Sequence, residues 1–184
     1  MKIITPTTKI RISAGKCGQR ALAAFLGRRH TSFLPAEKYE ISVENQLFYI
    51  PYWIVSINTV KSRAFPLYPD KKITFYMVCN GLNEEYIVLR NIPKTTQIEV
   101  QEEQILALLV SESRLKDHLI NDAIRSRINH QYIFGPPRIV SQSRYLMYLP
   151  VRKVHVGQKT AGTCGNYYVN VYTGEVKRYN MEED

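Results

Sequence analysis

Ile41–Ile57 reads ISVENQLFYIPYWIVSI, and Val140–Val156 reads VSQSRYLMYLPVRKVHV. Laid on one another, the two stretches match Ile41 with Val140, Ser42 with Ser141, Leu47 with Leu146, Tyr49 with Tyr148, Pro51 with Pro150 and Ile57 with Val156. Each centres on a Tyr-x-Pro inside a run of β-branched and aromatic residues, the composition of a strand. A long strand written twice points to internal duplication, which constrains the fold more than the activity. In the first copy both parities are apolar, which predicts cover on both faces. In the second, Arg152 and Lys153 stand where Trp53 and Ile54 stand in the first. That difference predicts a face turned towards solvent or a partner.

The flanks follow the same order in both halves. In the first, residues 2–12 read as an extended arm or edge strand, and Gly15–Arg29 as an amphipathic helix capped by Ser13. Strands are expected at 38–44 and 46–60, a loop at 61–71, and a hairpin of Ile73–Cys79 and Tyr86–Arg90 about Asn80-Gly81. In the second, apolar residues at three-to-four spacing predict a helix from Val100 to Asn129, with Ser111–Ser113 offering a break. Strands follow at 138–142 and 144–157, then a hairpin about Thr173-Gly174. FYMVCNG (Phe75–Gly81) aligns with YVNVYTG (Tyr168–Gly174), and the two glycines are expected to supply a positive φ. Pro51 and Pro150 lack an N–H and are expected at an edge, a bulge or a strand start.

These patterns predict an α+β protein of two related halves, 1–96 and 97–184, each a helix on a small antiparallel sheet, packed into one body. The closing segment YYVNVYTGEVKRY (Tyr167–Tyr179), with its Thr173-Gly174-Glu175-Val176 turn, resembles the last hairpin of PepSY-like modules. The long strands LFYIPYWIV and LMYLPVRKV are similar to those of cystatin-like repeats. The first half carries Asn80-Gly81-Leu82-Asn83 at the corresponding turn, a weaker match. The resemblance implies a non-catalytic, regulatory, inhibitory or protein-binding role, and it hands over no catalytic residue.

Charge is unevenly distributed. Residues 1–36 hold seven Lys or Arg and no acid, and 123–174 again seven and none, whereas 37–122 hold nine basic and twelve acidic residues. An acid-free stretch attracts acidic partners or polyanions. Cys17, Cys79 and Cys164 are odd in number and far apart, which argues against a disulfide framework and against a Cys-x-x-Cys zinc site. With no secretory pattern and no apolar run of spanning length, a cytoplasmic setting and no transmembrane segment are expected.

Candidate chemistry is sparse. Cys17 near a helix start, with His30 or His155 as base, lacks any surrounding signature, and a small buried cysteine is the plainer reading. His118 and His130 lie twelve residues apart without a carboxylate pair to complete a metal site. Gly15-Lys16-Cys17-Gly18 lacks the phosphate-loop spacing. Glu84-Glu85 and Glu102-Glu103 read as solvated pairs or a helix start. No catalytic residue, cofactor or metal is therefore expected. The partner-binding candidates are Arg144, Tyr148, Arg152 and Lys153 on the second long strand and Arg125 and Arg127 on the helix. The expected partner is a protein with an acidic surface. Nucleic acid, held by basic residues interleaved with tyrosines, is the alternative.

Overall fold

The two Tyr-x-Pro elements pair with each other. Strand β3 (Phe48–Lys61) runs antiparallel to β7 (Arg138–Gln158), with Tyr49 opposite Pro150, Ile50 opposite Leu149 and Pro51 opposite Tyr148. The computed structural model describes residues 1–27, 36–61, 70–131, 136–159 and 162–179. The expected positions Arg28, Arg29 and His30, the connector from Thr31 and most of the 61–71 loop lie outside the described residues.

Around the β3–β7 pair the sheet extends on both sides. β4 (Lys71–Asn80) and β5 (Tyr86–Leu89) flank β3, and β8 (Cys164–Asn170) and β9 (Val176–Lys177) flank β7, giving the order β5-β4-β3-β7-β8-β9. The short β2 (Tyr39–Val43) pairs with the end of β7, and β1 (Lys2–Pro6) pairs with β6 (Thr95–Glu99) in a separate ribbon. All of these strand pairings are antiparallel. In β6, Thr95, Thr96 and Gln97 carry no apolar alternation, and the strand stays largely exposed.

Opposite residues in an antiparallel pair share a face. One face holds Trp53, Val55 and Ile57 of β3 with Phe75, Met77 and Cys79 of β4, and further along Val154 and Val156 of β7 with Val169 of β8. Both helices lie on this face. α1 (Ala14–Phe25) buries Cys17, Ala21 and Leu22 against Val154, Val156 and Val169. α2, residues 112–131, buries Leu115, Leu119, Ile120, Ala123 and Ile128 against Trp53, Phe75 and Met77. Each fully buried large side chain contributes about 1.5–3 kcal/mol.

The halves are thus intertwined. The helix preceding the boundary near residue 96 covers β7 and β8, which follow it, together with β2, and the later helix covers mainly β3 and β4, which precede it. Helix and sheet of the same half were expected to pack together. The β3–β7 pairing sets the two sheet halves side by side, and each chain segment crosses between them.

The other face closes on itself. Asn80 Nδ2 donates to Tyr179 Oη at 3.0 Å, and Lys177 on β9 reaches Glu85 beside β5. Groups at opposite ends of a six-strand path meet only if the sheet curls, so this face is the concave side of a half-barrel. Ile50, Tyr52, Met147, Val151 and Tyr168 line it.

The hairpin turns correct the expected alignment. Asn80 N donates to Glu85 O at 2.8 Å and Asn80 Oδ1 accepts from Leu82 N at 2.9 Å; Asn170 N donates to Glu175 O at 2.9 Å and its Oδ1 accepts from Tyr172 N at 2.9 Å. Asn80 and Asn170, rather than Asn80 and Thr173, thus open turns with the same hydrogen-bond pattern. The left-handed position is Glu84 (φ 59°) in one turn and Gly174 (φ 73°) in the other, not Gly81. Gly81 has a different reason to lack a side chain: a Cβ there would lie 2.6 Å from Leu108 Cδ1 and 2.7 Å from Pro51 O.

The prolines lie within the β3–β7 ladder but one residue beyond the last β3–β4 and β7–β8 pairs, Tyr52–Asn80 and Val151–Asn170, so neither β4 nor β8 needs their missing N–H. Each carbonyl still accepts from the turn, Pro51 O from Gly81 N at 2.8 Å and Pro150 O from Val171 N at 3.4 Å.

The expected helix from Val100 shortens to begin after Ser111, whose hydroxyl accepts from Arg114 N at 3.2 Å. Before it the chain makes one 3-10 turn at Glu102–Gln104 and is then strapped to the sheet, with Leu106 N donating to Tyr49 O and both Leu109 N and Val110 N to Gly81 O. A matching strap precedes α1, where Arg11 N and Ile12 N both donate to Val171 O at 3.0 Å.

Candidate binding groove

β5 is shorter than β4. It pairs with β4 only from Tyr76 to Cys79, so among the described residues the outer edge of β4 from Lys71 to Phe75 carries no strand. A cleft of about 680 Å³ opens there, lined by Lys61, Lys71, Lys72, Ile73, Thr74, Tyr76, Arg90 and Asn91. Four of these residues are cationic and, among the described residues, none is a carboxylate. The hairpin register produces the cluster: Lys61 is the last residue of β3 and pairs directly with Lys71, the first of β4, while Arg90 follows the end of β5 and lies 4.0 Å over the Phe75 ring. Cations gathered in this way raise the local potential and favour an anionic occupant.

Polar groups run inward from this cleft across the strands. Thr74 Oγ1 donates to Asn58 Oδ1 at 2.8 Å, and Asn58 Nδ2 donates to Ser141 Oγ at 2.9 Å. Beyond Tyr76 and Val78 lies a second cavity of about 500 Å³, at the seam of the half-barrel, lined by Tyr52, Val78, Asn80, Glu85, Tyr86, Ile87, Glu175 and Lys177. Lys177 pairs there with Glu85 and stands 3.7 Å from Glu175. Its bond to Glu85 holds that carboxyl below the usual carboxylate range. Burial pushes the Tyr52 and Tyr179 hydroxyls well up, so both stay neutral hydrogen-bonding groups. The edge cleft is cationic, and the separate seam cavity is polar and aromatic.

The structure distributes the partner-binding candidates rather than joining them. Arg144 is engaged by Glu112 at the start of α2, with Nε 2.6 Å from Oε1. Tyr148 is buried with Ile3, Tyr49 and Val100. Arg152 turns inward beside Cys17 and donates through Nη1 to the carbonyls of Glu44 at 3.1 Å and Asn45 at 2.8 Å. It holds the β2–β3 connection instead of facing out, as the charged strand pattern predicted. Lys153 lies on the opposite face and pairs with Glu44 at 3.5 Å. Arg125 and Arg127 are exposed on α2.

The other candidates resolve as follows. Cys17 is buried in α1, and desolvation raises its thiol above the ordinary value against the opposing pull of Arg152 and Arg20. Burial pushes the Cys79 thiol up to about 11. Both environments disfavour the thiolate needed for nucleophilic attack. His155 Nδ1 lies 3.0 Å from Asn166 Oδ1 at the surface. Among the described residues, no group of three His, Cys, Asp or Glu is gathered as a metal site would need. Glu84 is held by Arg114, at 2.8 Å, rather than paired with Glu85 for acid–base work.

The sequence reading passed over Lys61, Lys71, Lys72 and Arg90 because they fall in the segment whose linear charge is net acidic. The available signal was the hairpin itself, with a lysine ending one strand and two opening the next. Comparison with known proteins adds no relative: no family model, curated protein or solved structure matches this chain, and the PepSY-like resemblance rests on its residues alone.

Proposed function

We propose that this chain is a non-enzymatic regulatory or inhibitory module that binds another protein through an acidic surface. The observation that carries the reading is the cleft at the free edge of β4, where Lys61, Lys71, Lys72 and Arg90 converge without a lining carboxylate among the described residues. The raised thiols of Cys17 and Cys79 are in keeping with a packing role for those residues. We further propose that the two halves descend from one duplicated unit. The matched Asn80 and Asn170 turns, the doubled straps onto Gly81 O and Val171 O, and Ser13 and Ser111 preceding the two helices support this.

A second reading, single-stranded nucleic acid, is favoured by Tyr76 lining the same cleft as Lys72, which puts a stacking surface and phosphate-binding charge in one cleft. The cytoplasmic setting belongs to the same proposal and is supported by three free cysteines. Among the described residues no helix is long and apolar enough to cross a membrane.

Affinity capture from native extract with wild-type protein and with Lys71→Glu/Lys72→Glu separates the readings. The protein-binding reading expects an acidic protein that salt elutes and that the double variant, folded by circular dichroism, fails to retain. Capture of the same proteins by the variant overturns it. Nuclease-sensitive capture would transfer the cleft to the nucleic-acid reading.

A further inference from the structure

Among the described residues the cleft contains a sheet edge with no strand paired to it, and this determines the form of an occupant. In the β4–β5 ladder Asn80 N donates to Glu85 O, and the register continues through Val78–Ile87 and Tyr76–Leu89. Alternation along an antiparallel strand then points the N–H and C=O of even-numbered β4 residues towards β5. At Lys72 and Thr74 β5 has already ended, so their backbone groups point into the cleft with no strand opposite them among the described residues. Exposed edges of this kind are templates for an added strand.

We propose that the partner enters as an extended acidic segment that adds to β4 at Lys72 and Thr74, in line with β5. This inference rests on the reading of the cleft as an acidic-protein site and specifies how that site is occupied. Main-chain bonds to the β4 edge provide affinity, and alternate acidic side chains meet Lys61, Lys71 and Arg90. The shortness of β5 leaves this edge without a strand among the described residues. The lysines flanking it hinder self-pairing of this edge between copies of the chain while favouring a segment of opposite charge.

The test uses the full chain and two probes of equal charge: an end-blocked peptide of alternating glutamate and valine, and one of the same composition interrupted by proline. The alternating peptide is expected to bind, with binding weakened by salt, and to protect the Lys72 and Thr74 amides from hydrogen exchange. The proline-interrupted peptide should bind about tenfold more weakly, the equivalent of one or two lost strand hydrogen bonds. Lys72→Pro, which removes one outward N–H, should lose that preference, whereas Lys72→Gln should keep it at reduced affinity. Equal binding of the two peptides, with the Lys72 and Thr74 amides unprotected, overturns strand addition and leaves the acidic-protein reading intact. Failure of both peptides to bind overturns both.

Discussion

Gly174 and Arg152 show how single residues are committed by their surroundings. Gly174 combines a left-handed φ of 73° with an Arg20 guanidinium where a Cβ would project, and Arg20 Nη1 donates to its carbonyl at 2.9 Å. Gly174→Ala should therefore destabilise the protein by about 1–3 kcal/mol, read as a lower urea midpoint with unchanged slope. An unchanged midpoint would mean the turn relaxes without cost. Arg152 stitches the β2–β3 connection through two carbonyls, and its Nε is buried without a partner. Arg152→Ala should cost about 2 kcal/mol and speed amide exchange in β2. A folded variant with unaltered exchange would return Arg152 to the pool of surface charges. The sequence marked Arg152 as unusual by comparison with Trp53. It did not reveal which way the side chain turned, because that depends on carbonyls of the β2–β3 turn more than a hundred positions earlier.

At the level of elements, the two helices start alike but are capped differently. Ser111 Oγ accepts from Arg114 N, whereas Ser13 makes no side-chain cap bond. Ser111→Ala should cost about 1 kcal/mol by thermal or urea denaturation, and Ser13→Ala markedly less. Equal losses would contradict the cap assignment. The long strands, the helix positions and the hairpins were legible from alternation and turn residues. The Val100–Val110 run was misread as helix because Ile105, Leu106, Leu108 and Leu109 have helical spacing. A single 3-10 turn forms at Glu102–Gln104, and tertiary bonds to Tyr49 and Gly81 hold the rest of that segment out of a helix. The seam titrates as an element too. Glu85 is held below its usual value by Lys177, so the stability it adds is present above the unfolded carboxyl range, near pH 4.5, and is lost as pH falls through the depressed value. With the Glu85 side chain 61% exposed, the contribution is small. Acid should weaken the Asn80–Tyr179 contact before the sheet unfolds, seen as earlier exchange at the β9 amides. Simultaneous loss of all amides would contradict an independent seam.

For the whole molecule, intertwining is the decisive property. Residues 1–96 contain β3 and β4 but neither β7, which pairs with β3, nor α2, which covers Phe75 and Met77. The fragment should be unfolded alone and should regain sheet signal by circular dichroism when mixed with 97–184. A folded 1–96 fragment would contradict the exchange of helices. The repeated strand was visible in the sequence, but the crossing of each helix to strands of the other segment was not, because local periodicity contains no information about which sheet a helix covers. The same limit hid the groove. Residues 37–122 are net acidic along the chain, yet the β3–β4 register draws Lys61, Lys71 and Lys72 together at one end of the sheet. The site proposed here is a product of pairing rather than of composition.

Lysine footprinting of the native complex tests that site most directly. Acetylation of the protein in its own extract, compared with acetylation of the purified chain, reports which ammonium groups a partner covers. The account predicts protection of Lys61, Lys71 and Lys72, with Lys9, Lys16 and Lys116 labelled equally in both. Protection confined to Lys9 and Lys16 in the acid-free amino-terminal segment, or to Lys153, would place the partner elsewhere and contradict it.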